Sequence, residues 1–534
     1  MTHQRHIGVY LRNLTALAAH RSCRANVARG ARRRHWRGYV EHLEARDLLA
    51  GDVTAVVQGE NLYVSGDELD NGLAIVAGGL PNQFEIAGLD VAGATTINGR
   101  PSTVVSGVTG AVVIDLSDGN DRLDFKAGPG ADVELLRGLK VYGGVGNDRI
   151  ALTATDALFE VYGSVQINGG IGDDGVTIEA EGADALIHVA NDLVVNPGNN
   201  DDHVLVSARD GRSAVSIGDD LKIQDPHGED TIAVQAFRDD ASLTVGHDLE
   251  IETGVGEDMV RVTAFSGNAR VALMDDVKIA TGDSEDAVLL EAEFGAATLT
   301  VGDEVRIHSG GGADFVRLFA NREESQVIVQ GSVDIDTGDA GLYAGGDTAV
   351  IWADSGNASL TFQKNVWIRT GDSLDGSNFV QVKAAAGNAA VDFRRDLIIQ
   401  ADDAAAYGAW VEILAEHGEA RVNVARNLEI FSGAGGLALN IEARNDRAAV
   451  LVGNDLEIHS GGDTDRVQLT TSSAGASLVV QDDLNVLLGD GDDTLTVSGV
   501  EVLDRVGLYG EGGRDTLVEG GDTRFGDLIV DFEI

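Results

Sequence analysis

Apolar and polar positions alternate with period two in short runs, and the runs recur at a fixed interval. The aspartate of "GEDTIAVQA" serves as a reference mark. It falls at Asp174, Asp202, Asp230, Asp258, Asp286 and Asp314, each 28 residues after the last, and the phase returns at Asp465 and Asp493. Apolar residues stand two and four places after the mark, as at Val176 and Ile178, Val204 and Val206, or Val260 and Val262. That alternation predicts a strand with one buried face. Six places after the mark comes a near-constant alanine (Ala180, Ala208, Ala236, Ala264, Ala292, Ala320). The same alternation puts it inward, and a small side chain suits a bend with little interior room.

A Gly-containing turn follows ("SGNA", "FGAA", "AGNA"), and then two more inward pairs. One pair is Leu243/Val245 or Val271/Leu273, and the other is Leu249/Ile251 or Val277/Ile279. Three strands per repeat, each too short to stand alone, predict an all-β solenoid. In this parallel β-helix every strand pairs with its equivalents one coil above and below. At ~28 residues per coil the repeats over 111–499 make about 14 coils. Stacked coils need capped ends. Residues 51–110, strand-rich but irregular, are expected to form an N-terminal cap. Residues 500–534, where the step to Asp515 shortens to 22, are expected to form a C-terminal one.

Composition agrees with this. Hydrophobic content of 43% supports a continuous core, and 69 Gly against 5 Pro suits many tight turns between strands that donate backbone hydrogen bonds. The net charge of −48 is unevenly spread: residues 1–50 carry ten Arg and three acids, a net of +7, and the remainder carries −55. A body this acidic repels nucleic acid and anionic lipid and attracts cations as partners. No stretch reaches the ~18 apolar residues of a membrane span, so no transmembrane segment is expected. The lone Cys23 lies in the basic segment, which leaves the body without disulfides.

The Arg-rich N-terminus reads as an export segment over 1–50, disordered or removed. Within it "RRRHWRGYVEHLEARDLLAGDV" (residues 32–53) resembles the N-terminal motif of planctomycete secreted and surface proteins, in which a basic stretch leads into a Leu-Glu-x-Arg-x-Leu-Leu-Ala core, here Leu43 to Ala50. The resemblance implies export, and so a secreted or cell-surface location.

Stacking turns equivalent residues into rows. The marker aspartates form one row. A second acidic or amide row lies 18 places on (Asp192, Asp220, Asp248, Asp276, Glu304). Like charges ~4.8 Å apart repel by about 1 kcal/mol per pair in water and about 3–4 at an effective dielectric of 20, so such a row needs an offset. Two are open: carboxylates accepting backbone N–H bonds in Asx-type turns, or hard cations bridging the row. "GGVGNDRIA" (143–151) and "GGIGDDGVT" (169–177) resemble the GGxGxDxUx nonapeptide of RTX, or haemolysin-type, calcium-binding repeats. "TGVGEDMVR" (253–261) and "LGDGDDTLT" (488–496) are near matches. Here the nonapeptide occurs once per coil rather than in tandem. The resemblance implies calcium as cofactor, with Asp148, Asp174, Asp258 and Asp493 as ligands and Asp314 sharing their row.

Three successive steps are stretched: 33 residues from Asp314 to Asp347, 31 to Asn378 and 31 to Ala409. Stacked insertions predict a local bulge over 339–410. Aromatic residues gather there, and Trp352, Phe379, Trp410, Tyr343 and Tyr407 are the candidate glycan- or partner-binding residues. Phe315, Phe319, Trp352, Phe379 and Trp410 point outward by alternation. They form either an open stacking surface or rings covered by the inserted loops.

No Ser/His/Asp set, zinc motif or phosphate loop is present, and the carboxylates at 339–403 are the one candidate acid/base group. The expectation is therefore an exported, acidic, non-enzymatic β-helix acting as a structural or adhesion-type surface protein, with calcium along its Asp rows. The alternative is a polysaccharide-binding or polysaccharide-degrading protein that uses the aromatic bulge.

Overall fold

The computed structural model describes residues 51–91, 93–340, 345–373, 376–401 and 408–532. The expected export segment lies outside them, as do Tyr343 and Tyr407. Among the described residues the chain is a solenoid of β-strands with no helix, parallel from Val112 onward.

One coil shows how the repeat builds the fold. Thr231–Ala236 forms the first face, Ser242–Val245 the second and Leu249–Glu252 the third. Each pairs in parallel with its equivalents 28 residues away, so that Val234 lies opposite Val206 and Val262. Fourteen strands stack in the second face, which makes about 13 turns against the 14 coils expected. Register is fixed because a one-residue slip would turn every Val, Ile and Leu of a strand to solvent. The inward Ile232, Val234, Leu243, Val245, Leu249 and Ile251 are all buried, and their outward neighbours alternate with them.

The alanine row is fully buried, as the bend requires (Ala180, Ala208, Ala236 and Ala264 at 0% exposure). A second alanine row, not anticipated from the strand pattern, lines the far side of the same bend (Ala241, Ala269, Ala297, Ala358, Ala389). Between the two rows the chain reverses through a turn whose ninth residue after the mark has positive φ, at Gly267, Gly295, Gly356, Gly387 and Gly418. The tight turn brings the faces so close that only small side chains fit on either flank. Larger rings enter the core elsewhere, as in the stacked Phe362–Phe393 pair on the second face, 5.1 Å between centroids.

At the N-terminal end the direction of pairing changes. Asp52–Gln58 and Asn61–Ser65 are antiparallel, as are Gly72–Ala77 and Gln83–Gly88. Asn61–Ser65 and Gly72–Ala77 then lie parallel on the first coil. At the other end Thr516–Gly520 and Asp527–Asp531 continue the parallel stack with shortened spacing. Their apolar side chains are partly open, Ile529 at 57% exposure.

Candidate functional sites: acidic rows, a buried aspartate triad and an aromatic strip

The marker aspartates stand at the corner between third and first faces, in the loop that precedes each first-face strand. Their side chains are buried, at 1–3% exposure for Asp174, Asp202, Asp230, Asp258, Asp286 and Asp314. Each Oδ1 accepts the backbone N–H of the row residue one coil earlier, as in Asp202 N–H to Asp230 (2.9 Å), Asp258 N–H to Asp286 (2.9 Å) and Asp314 N–H to Asp347 (3.0 Å). The row begins at Asp121 and ends at Asp515. The second row works in the opposite sense. Its later residue donates backward, as in Asp248 N–H to Asp220 (3.2 Å) and Asp276 N–H to Asp248 (3.3 Å). Two corners of the solenoid are therefore stitched in opposite directions by side-chain oxygens: the carboxylates do accept backbone N–H bonds, but from a neighbouring coil and not within an Asx-type turn as expected.

The two rows differ in electrostatics. In the first, Oδ2 of Asp148, Asp174, Asp258, Asp314 and Asp493 is buried without a hydrogen-bond partner. Burial raises these carboxyls and the accepted N–H bond only partly offsets it. Asp174, Asp202, Asp286 and Asp314 are pushed up to about 7, and Asp148 and Asp493 to about 6. In the second row burial is slighter and cations are close. Burial raises Asp248, but the Lys278 ammonium at 2.8 Å outweighs it and holds the carboxyl below its usual range.

The glycines of the nonapeptide-like turns have a steric reason. Gly172 and Gly256 have φ of 138° and 147°, and a Cβ on either would lie 2.1 and 1.5 Å from the carbonyl oxygen of the glycine one coil below. Coil stacking at this corner favours glycine whether or not an ion is bound, although Asn200 and Ser284 hold the equivalent place at φ 88° and 137°.

Among the described residues, three groups of acidic side chains bring ligand oxygens within 4.8 Å of one another. Asp275–Asp276–Asp303 and Asp455–Asp482–Asp483 lie at the surface, and Asp202–Asp225–Asp230 is buried. None contains Asp148, Asp174, Asp258, Asp314 or Asp493, the ligands implied by the RTX resemblance. Those carboxylates are joined along the row through backbone hydrogen bonds. Asp225 was not singled out from the sequence. It belongs to a column five residues before the mark that holds Thr253, Thr281 and Ser309 in the following coils. Aligning that column exposes it as a carboxylate in a run of hydroxyls.

The aromatic strip lies on the outer side of the first face, as the alternation predicts. Phe319 packs on Trp352 (5.3 Å) and Phe379 edge-on against Trp410 (5.7 Å). The rings do not stand free: Phe319 is buried, the others are half-buried, Arg317 lies over Phe319 and Lys383 over Trp352. Beside them Glu291, at 0% exposure, pairs with Arg261 (2.7 Å) and Arg317. Sequence reasoning missed this network, because Glu291 occupies a nominally outward position and only the fold shows what covers it. Trp352 keeps one polar need unmet, since its indole N–H is buried without an acceptor.

No family model matches the sequence, and no curated protein or solved structure matches it.

Proposed function

We propose that the protein is an exported structural or adhesion-type surface element, a stiff acidic rod that spaces or displays rather than transforms. One observation carries this reading: both acidic rows are spent on holding successive coils in register. The conspicuous chemistry of the chain thus serves rigidity along the solenoid axis, while the body's charge of −55 faces a cation-rich exterior. The Leu43–Ala50 motif supports export by resemblance. The test is surface exposure of the full chain, tagged at its C-terminus and expressed in a planctomycete host. Antibody should label intact cells, and replacing residues 32–50 with a neutral sequence should abolish labelling. Retention of the intact chain in the cytoplasm overturns the proposal.

A second reading, polysaccharide binding, is favoured by the half-buried Phe379–Trp410 pair and, at the other end of the same face, by Trp352 with its unmet indole N–H. Ring faces and an N–H donor are what a sugar face and its hydroxyls engage. A glycan array probed with the wild-type chain and with Trp352→Ala plus Trp410→Ala decides it. Binding lost only in the variant supports the reading, and no binding by the wild type ends it.

A further inference from the structure

We propose that Asp202, Asp225 and Asp230 hold a single hard divalent cation, calcium by its all-oxygen ligand set, at the corner between the third and first faces. This site is not the row-wide binding implied by the nonapeptide resemblance, and it does not depend on the exterior-rod reading. It rests on one residue that breaks the repeat.

Asp225 is 1% exposed, and neither of its carboxylate oxygens has a hydrogen-bond partner. Its backbone is in regular register, with its N–H donating to Glu252 O at 2.7 Å, so the side chain is held and not swung aside by a bulge. In the coils that follow, the equivalent Thr253 and Thr281 use their hydroxyls to bond the next carbonyl of the column, at 3.2 and 3.3 Å. A carboxylate cannot donate in that way. It clusters instead with Asp202 and Asp230, one carboxylate oxygen of each within 4.8 Å of one another, whose Oδ2 atoms are unpartnered and whose Oδ1 atoms are already committed to Asp174 and Asp202 N–H.

Three buried carboxylates with no cationic side chain beside them are among the costliest arrangements in a protein unless a cation or protons offset them. One oxygen from each residue lies within 4.8 Å of the others, close enough to share one ion, and an all-carboxylate buried set suits calcium better than magnesium, which keeps several of its waters. A surface groove lined by Asn196, Gln224, Pro226 and Glu252 reaches Asp225 and gives an ion a polar way in.

The test is metal content and melting of the chelator-stripped full chain at pH 7.5 in 150 mM KCl with excess Mg²⁺, which suppresses diffuse binding to the acidic surface. Equilibrium dialysis against Ca²⁺ followed by elemental analysis should find one tightly held Ca²⁺ per chain, with a raised melting temperature. Asp225→Thr, which installs the residue of the neighbouring coils and so preserves the fold, should lose that ion and the calcium-dependent shift. Asp286→Asn, elsewhere in the row, should keep both. Equal calcium retention by wild type and Asp225→Thr overturns the proposal. So does a wild type that retains none while Asp225→Thr melts higher at pH 7.5 without metal, which would assign the cluster to shared protons.

Discussion

The coils from Asp121 to Asp347 and those from Asn378 to Leu437 solve the same stacking problem differently. In the first region every step is closed by a carboxylate that accepts a backbone N–H from the coil before it. In the second the row reads Asn378, Ala409, Leu437. Asn378 still accepts Asp347 N–H (3.1 Å), but Ala409 N–H turns to the Gly436 carbonyl (2.9 Å), and Leu437 N–H reaches Asp465 (2.6 Å). The difference shows what the row is for. A backbone donor at this corner must find an acceptor, and charge is incidental. Asn378 shows more: its Nδ2 donates to Gly371 O at 2.6 Å, so the second atom of the side chain sits where a donor is useful. An ionised aspartate puts an acceptor there, which Thr337 meets at Asp347 (2.8 Å) and which goes unpartnered in the earlier coils. A protonated one would match the amide.

The largest effect should come from removing an acceptor in the first region. Asp286→Ala leaves Asp258 N–H buried and unpaired, which costs about 1–3 kcal/mol. Urea unfolding of the full chain reads this directly as a lower midpoint, and because stacked coils lose cooperativity the slope of the transition falls with it. An unchanged midpoint would show that the row does not hold the coils.

Next in size is a dependence on pH that distinguishes aspartate from asparagine in the row. Asp286 goes from 3.8 unfolded to about 7 folded, raised by burial, with Asp314 and Asp258 adding to it and Thr281 opposing. Between pH 4 and 7 the folded chain therefore keeps a proton that the unfolded chain has lost. Stability falls as pH rises through that window and is flat above it. Asp286→Asn cannot ionise. It should match wild type near pH 4 and exceed it at pH 8, by on the order of 1 kcal/mol or more. The body's overall charge also disfavours high pH, so the decisive reading is the difference between variant and wild type. Parallel stability profiles would sink the idea that this carboxyl carries an unfavourable charge at neutral pH.

The contrast between the regions also marks how far the sequence could be read. Strand positions, inward pairs and the first alanine row followed from period two and the 28-residue interval, because burial acts on every coil alike. The marker row was visible, and carboxylates accepting backbone N–H bonds was one of two readings it allowed, though the donor lies one coil away and not in the same turn. The direction of the hydrogen bonds was not visible, since it depends on whether a corner side chain leans up or down the axis. The second alanine row extends the second-face alternation backward by one inward place, as in Ala241, Leu243 and Val245, and was missed because it precedes the strand, in the Gly-containing turn. Asp225 was missed for a different reason: a row was sought where residues agree, and this residue matters because it disagrees with Thr253, Thr281 and Ser309. Glu291 was hidden because its burial comes from neighbouring coils and the adjoining corner, which no local pattern reports.

The smallest effect tests the turn between the first and second faces, where the two regions behave alike. Its ninth-place residue is glycine in coils of both, Gly267 and Gly295 in one and Gly387 and Gly418 in the other, all at φ between 72° and 74°. Glu323 breaks that rule at φ 63°. A side chain in this conformation costs about 1–2 kcal/mol, while glycine gains backbone freedom in the unfolded chain worth about 0.5–1 kcal/mol. Glu323→Gly should therefore stabilise by about 1 kcal/mol or less, visible as a small rise in melting temperature. Glu323→Asn, which tolerates the conformation better and keeps the unfolded chain stiffer, should do at least as well. If both variants melt lower than wild type, the Glu323 side chain contributes more at the surface than its backbone strain costs, and the turn is not held by conformation alone.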